Sequence, residues 1–222
     1  MKTEIAFILD RSSSMESIRT AAINGFNQYL RDQQAAPGRT NLSLVFFDTD
    51  TEHRYESLPA AEILPLNMDT YVPRGCTALL DAIGETIDKL GKKLAALPAA
   101  DRPDHVSVAI LTDGEENSST RFTWKDIAER IKHQTGKYDW EFLFLGASED
   151  AIATAAKMNI HAHNSSAYLA DAAGSQAAMA SFSRKSLASR AKKSGLATPE
   201  QLHDADAPMS DILREEDQKR RQ

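Results

Sequence analysis

Short, dense apolar runs alternate along this chain with stretches in which apolar residues recur every three or four positions. The segments Glu4 to Leu9, Leu42 to Phe47, His105 to Leu111 and Trp140 to Leu145 are almost continuously apolar and stop abruptly at polar residues, as expected of strands buried on both faces of a parallel sheet. Between them, Ile18, Ala22, Phe26, Tyr29 and Leu30 predict an amphipathic helix over Ser17 to Arg31, closed by Pro37-Gly38. Leu80, Ile83, Ile87, Leu90, Leu94 and Leu97 mark one face of a longer helix that starts near Thr77 and stops at Pro98. Thr123 and Asp126 form a capping box opening a third helix through Trp124, Ile127 and Ile131.

The remaining segments are read from their punctuation. After the turn-prone Asp48-Thr49-Asp50, the alternation of Glu52 to Glu56 predicts an exposed edge strand folding back on its predecessor. Pro59, Pro65, Pro73 and Gly75 leave Leu58 to Gly75 as a surface loop. A helix is expected over Glu149 to Met158, and a last short strand over Asn159 to His163. The Ala-rich stretch from Tyr168 to Lys193 suits a docked helix. Gly195, Pro199, Pro208 and the polar end from Arg214 to Gln222 then predict a mobile tail over 194–222. Strands alternating with helices imply an α/β fold: a Rossmann-like, doubly wound, mostly parallel central sheet with one antiparallel edge strand and helices on both faces. The domain is expected to span residues 1–193, the docked helix included.

Composition narrows the function. With 222 residues, 41% of them hydrophobic, the chain can bury one large core. A net charge of −6 argues against nucleic acid, whose phosphates are held by clustered Lys and Arg. The first apolar run is too short for a signal peptide or membrane span, and the lone Cys76 cannot form an internal disulfide. A soluble cytoplasmic protein is expected, with neither a nucleic acid nor a membrane as partner.

The polar residues at the strand ends carry the candidate chemistry. Asp10, Ser12 and Ser14 follow the first strand, Thr77 opens the long helix, and Asp113 closes a later strand. All five are oxygen donors, and in an open parallel sheet these segments converge over one crevice. Such a set suits a hard cation with octahedral oxygen ligands: Mg²⁺, with Mn²⁺ as the alternative.

The D-x-S-x-S run at Asp10, Ser12 and Ser14 resembles the metal-ion-dependent adhesion site (MIDAS) of von Willebrand factor type A (vWA) domains. Arg74-Gly-Cys-Thr77-Ala-Leu-Leu-Asp-Ala-Ile83 resembles the family's threonine segment, and Leu111-Thr-Asp113-Gly-Glu-Glu-Asn117 its strand-terminal T-D-G segment. The three occur in order over roughly residues 1–190. The resemblance implies that Ser12, Ser14 and Thr77 bind the metal through hydroxyls, with Asp10 and Asp113 acting largely through bridging waters and outer hydrogen bonds. It implies a non-enzymatic protein-interaction module, in which a cation held by mostly neutral ligands captures an Asp or Glu carboxylate of a partner protein. Small intracellular bacterial relatives serve as adaptors in ATPase-linked or stress-response assemblies, which sets the same expectation here. Ser13 departs from the family's usual glycine and Cys76 from its usual small residue.

Each residue also has a plainer reading. Ser12 to Ser14 and Thr77 are ordinary helix N-caps, and Asp113 an ordinary turn former; Glu115 and Glu116 read as solvated loop charges. His161 and His163 lack further ligands for zinc, and Cys76 has no histidine in a supporting motif. The alternative function is a Mg²⁺-dependent phosphohydrolase using Asp10 as nucleophile, although Ser12 stands where haloacid dehalogenase-like enzymes place a second Asp.

Overall fold

The computed structural model describes residues 1–222 as six strands and seven α-helices. They follow the order β1 (Lys2–Asp10), α1 (Arg19–Ala35), β2 (Arg39–Phe47), β3 (Thr51–Pro59), α2 (Leu79–Ala96), β4 (His105–Thr112) and α3 (Trp124–Tyr138). After these come β5 (Glu141–Gly146), α4 (Ala151–Lys157), β6 (Ser165–Ala167), α5 (Ala172–Ser194), α6 (Pro199–Asp206) and α7 (Met209–Arg221). The sheet order is β3-β2-β1-β4-β5-β6, and only β3 runs antiparallel. β1 is central, pairing on one side with β2 from Lys2↔Arg39 to Asp10↔Phe47 and on the other with β4 from Thr3↔His105 to Leu9↔Leu111. The chain winds outward in both directions from β1 and β4, so their carboxyl ends form the crevice where such sheets bind ligands.

Period-two alternation along β1 sends its side chains to two separate cores. Ile5, Phe7 and Leu9 join Phe26, Tyr29 and Phe182 beneath α1 and α5, while Ala6 and Ile8 join Ile83, Ile87 and Ile110 beneath α2 and α3. Phe7 is central to the first core, meeting Phe26, Tyr29 and Phe182 edge-on at 5.4, 4.8 and 5.7 Å between ring centres, a favoured arrangement of aromatic quadrupoles.

Three expectations need correction. Residues 194–222 are not a polar tail outside the domain: they form α6 and α7, Met209 and Leu213 join the core beneath α1 and α5, and Ile212 is buried as well. The prolines start these helices rather than interrupt them. Pro199 occupies the first turn of α6 behind the Thr198/Gln201 capping box, and Pro208 precedes α7. The domain boundary expected at residue 193 therefore falls inside one packed unit. Second, the last strand is Ser165–Ala167, not Asn159 to His163, and pairs with Phe144–Gly146. Third, the loop after β3 is not wholly superficial, since Ile63, Leu66 and Tyr71 are buried core residues. No helix is long and apolar enough to cross a membrane.

Candidate metal centre

The five predicted residues meet at the carboxyl ends of β1 and β4. Asp10 is the last residue of β1 and fully buried. Its Oδ1 accepts the Ser12 backbone N–H at 2.7 Å, and its Oδ2 accepts the Thr112 hydroxyl at 2.5 Å. The Ser12 and Ser14 hydroxyls lie 3.1 Å apart, and Ser14 Oγ donates to Asp113 Oδ1 at 2.7 Å. A polar chain thus runs from β1 through the serine turn to β4. Thr77 closes it: a carbon added at Gly114 would lie 3.2 Å from Thr77 Oγ1 and 3.7 Å from Ser14 Oγ, so both hydroxyls converge on this glycine.

The surrounding contacts hold these residues where they are. Arg11 N donates to Phe47 O at 2.7 Å and Arg74 N to Arg11 O at 2.8 Å, tying the serine turn to β2 and to the threonine segment. Thr77 is clamped from both sides of its backbone, its N–H donating to Asn117 Oδ1 at 2.9 Å and its C=O accepting from Asn117 N at 3.1 Å. Tyr71 reaches up from the core to donate its hydroxyl to the Asp10 carbonyl.

The reading of Ser12 and Thr77 as side-chain helix caps does not hold. Ser12 precedes the short 3₁₀ helix Ser13–Ile18 without capping it by its side chain, and α2 begins after Ala78 with no side-chain cap from Thr77. The start of α2 is satisfied by Glu116, whose carboxylate accepts from Leu80 N at 2.9 Å and from Ser119 N at 2.7 Å. Glu116 is therefore a structural acceptor at a helix N-terminus, not a solvated loop charge. Asp81 binds the same loop from the helix side, accepting the N–H groups of Thr120, Arg121 and Phe122 at 2.9 Å each.

The electrostatics are unbalanced. Burial pushes the Asp10 carboxyl up to about 6 against the hydrogen bonds from Thr112 and Ser12, with a smaller upward push from the Asp113 charge. Burial also raises Asp113, opposed by the Ser14 hydroxyl. No basic side chain offsets this. Arg11, the nearest in sequence, turns away to Asp48 at 2.7 Å and Glu52 at 2.6 Å. Two carboxylates beside three hydroxyls, with no cation of their own, form an oxygen-donor set that fits a hard divalent ion.

Three contributors escaped the sequence reading: Thr112, Asn117 and Tyr71. Thr112 and Asn117 lie inside the quoted T-D-G segment, and their polar side chains were the available signal. Tyr71 had none, because it sits among prolines in a segment without periodicity.

No family model and no curated relative matches this sequence. Solved structures do match its fold. Proximal thread matrix protein 1 from the mussel byssus, with a zinc-occupied MIDAS motif, superposes at a TM-score of 0.56 with 15% identity over 83% of this chain and 46% of its own. The von Willebrand factor type A protein from Catenulispora acidiphila superposes at 0.52 with 18% identity over 84% of this chain and 43% of its own. The D319A mutant of the PilB minor pilin from Streptococcus sanguinis reaches 0.52 with 11% identity, covering 84% of this chain and 62% of the pilin. The chain spans less than half the length of the first two. With a six-stranded sheet wound outward from β1 and β4 and only its β3 edge antiparallel, this chain has the von Willebrand factor type A fold.

Proposed function

We propose that Asp10, Ser12, Ser14, Thr77 and Asp113 hold a divalent cation, Mg²⁺ in the cell, and that the protein is a non-enzymatic module capturing an Asp or Glu of a partner protein. The partner would be a component of an ATPase-linked or stress-response assembly in the cytoplasm, where the exposed thiol of Cys76 stays reduced. The observation that carries this reading is the convergence of three hydroxyls and two carboxylates, with no basic group, at the crevice of the sheet. The zinc-occupied MIDAS of the mussel protein supports a divalent ion in the same fold. A bound cation would supply a positive charge able to take a carboxylate oxygen from outside. The chain's own part is to hold the donors: Asp10 fixes the serine turn through the Ser12 N–H, Asn117 fixes Thr77, and Asp113 orients the Ser14 hydroxyl.

Asp10 also weighs against the phosphohydrolase alternative. It is fully buried and both its oxygens are engaged by groups of the protein, leaving none presented as a nucleophile.

Thr77→Ala provides the test. Because Thr77 caps no helix, its loss should cost the fold only about 1 kcal/mol, while affinity for Mg²⁺ measured by calorimetry should fall at least about tenfold. Capture of partners from lysate should require Mg²⁺ and disappear with EDTA or with Thr77→Ala. Equal capture in all three conditions would sink the proposal, and sustained Mg²⁺-dependent phosphatase turnover abolished by Asp10→Asn would replace it.

A further inference from the structure

At the opposite end of the sheet, before the first residues of β1, lies a cleft of about 880 Å³ between the carboxyl-terminal ends of α1 and α5. Its walls include Met1, Ala35, Pro37, Leu187, Ala191 and Leu196, and Leu196 is one of the most exposed apolar side chains of the molecule. Arg190 also lines this cleft, although it is 95% buried.

Arg190 is a buried cation without a carboxylate partner. Its guanidinium donates to Gln33 Oε1 at 2.8 Å, to Thr40 Oγ1 at 2.7 Å and to the Pro37 carbonyl at 3.3 Å, all neutral acceptors. These use three of its five N–H donors. A buried charge normally persists only with a counter-charge, since its desolvation costs several kcal/mol. The other charged groups of the lining already have partners: Asp104 accepts the Lys2 N–H at 2.7 Å, Asp32 accepts from Ser183 Oγ at 2.5 Å and Gln28 Nε2 at 2.7 Å, and Lys193 pairs with Asp139 at 2.7 Å. The side-chain amide nitrogen of Gln33, buried beside Arg190, has no partner at all.

We propose that this cleft is a second ligand site, which takes an aliphatic monocarboxylate with its carboxylate on Arg190 and its chain along the apolar walls. The chemistry of the lining selects the class. Asp32 and Asp104 on the same walls disfavour multiply charged phosphates, and the helix ends on either side present carbonyls, which again penalise excess negative charge. The apolar walls favour a hydrocarbon body over a small inorganic anion. The site is separate from the metal centre, at the other end of the strands, and does not depend on how that centre is read.

Titration of the full chain with octanoate, octanol and inorganic phosphate tests this, first on the original sequence and then on two variants of Arg190. Octanoate should bind with a Kd near or below about 1 mM and shift backbone amide resonances of Ala35, Gly38 and Ala191. Octanol, lacking the charge-assisted bond, should bind at least about tenfold more weakly. Arg190→Lys, which keeps the charge, should retain more affinity than Arg190→Gln. Equal binding of octanol, tighter binding of phosphate, shifts located elsewhere, or no binding of octanoate at about ten times that concentration would each overturn the proposal.

Discussion

The carboxyl of Asp10 is the most deeply buried group of the candidate metal centre, and its environment predicts how the metal-free protein responds to pH. Its folded pKa, pushed up to about 6 by burial, lies above the unfolded value near 4. The folded state therefore binds the extra proton, and the stability this confers is present below about pH 4 and lost as pH rises through 6. Between pH 4 and 7 the metal-free protein should lose on the order of 2 kcal/mol through this group. Asp10→Asn should remove most of that dependence and raise the melting temperature at pH 7 without metal. The amide can still accept the Ser12 N–H, and it can donate to Thr112, whose hydroxyl also reaches the Gly114 carbonyl at 3.0 Å. Saturating Mg²⁺ should stabilise the original chain at pH 7 and leave Asp10→Asn nearly unmoved. Scanning calorimetry at pH 4, 5, 6 and 7, with and without Mg²⁺, measures both effects; a melting temperature that rises with pH equally in both chains would contradict the assignment.

Among the elements, α2 was the most legible and its start the least. Ile83, Ile87, Leu90 and Leu94 fall on one face and are buried as their spacing predicts. How the helix begins depends on a distant segment, because Glu116 satisfies the N–H of Leu80 and also binds Ser119 and Ser118. That carboxylate joins α2 to the loop that carries Asn117, and Asn117 clamps Thr77. Glu116→Ala should therefore act twice, costing about 1–2 kcal/mol as a lost cap and also weakening Mg²⁺ binding by loosening Thr77. Urea denaturation and calorimetry on one sample separate the two. An unchanged Mg²⁺ affinity would show that Thr77 is held without this loop. Elements α6 and α7 teach a different lesson. Their prolines read as breaks along the chain, but Pro199 and Pro208 stand where a missing N–H is harmless.

At the scale of the whole molecule, those last helices complete the core. Arg184 on α5 binds Asp204 of α6 at 2.6 Å and both Glu215 and Glu216 of α7, while Met209 and Leu213 bury their side chains with those of α1 and α5 and Ile212 is buried beside them in the same helix. Buried Lys185 donates to the carbonyls of Ala205 and Ala207 at 2.8 and 2.7 Å, fastening the turn between α6 and α7. A chain ending at Ser194 should consequently lose cooperative unfolding or become insoluble, since removal of α6 and α7 exposes core surface and takes the carbonyl acceptors of Asp204, Ala205 and Ala207 from the buried Lys185 ammonium. Within the full chain, Ile212→Ala should cost about 2–4 kcal/mol, in the range of buried large-to-small changes. A truncated chain that melts sharply near the temperature of the full chain would show the two helices to be an accessory.

The sequence by itself determined the sheet, most of its flanking helices and the five oxygen donors, because those features depend on local pattern. Continuous apolar runs are what strands buried on both faces require, and apolar residues three or four apart are what a helix on a core requires. Four of the donors were visible because they stand at or just after strand ends, and Thr77 because it precedes α2; the topology of an open parallel sheet brings such positions together. Only the tertiary structure decided the rest. Tyr71 enters the core from a proline-rich loop, and Ser165–Ala167 becomes a strand without any apolar alternation, since each is chosen by what it packs or pairs with. Whether residues 194–222 belong to the domain, and whether Arg190 has a counter-charge, likewise depended on contacts between segments more than a hundred residues apart. Such contacts leave no period along the chain, and burial and charge balance are properties of the folded whole.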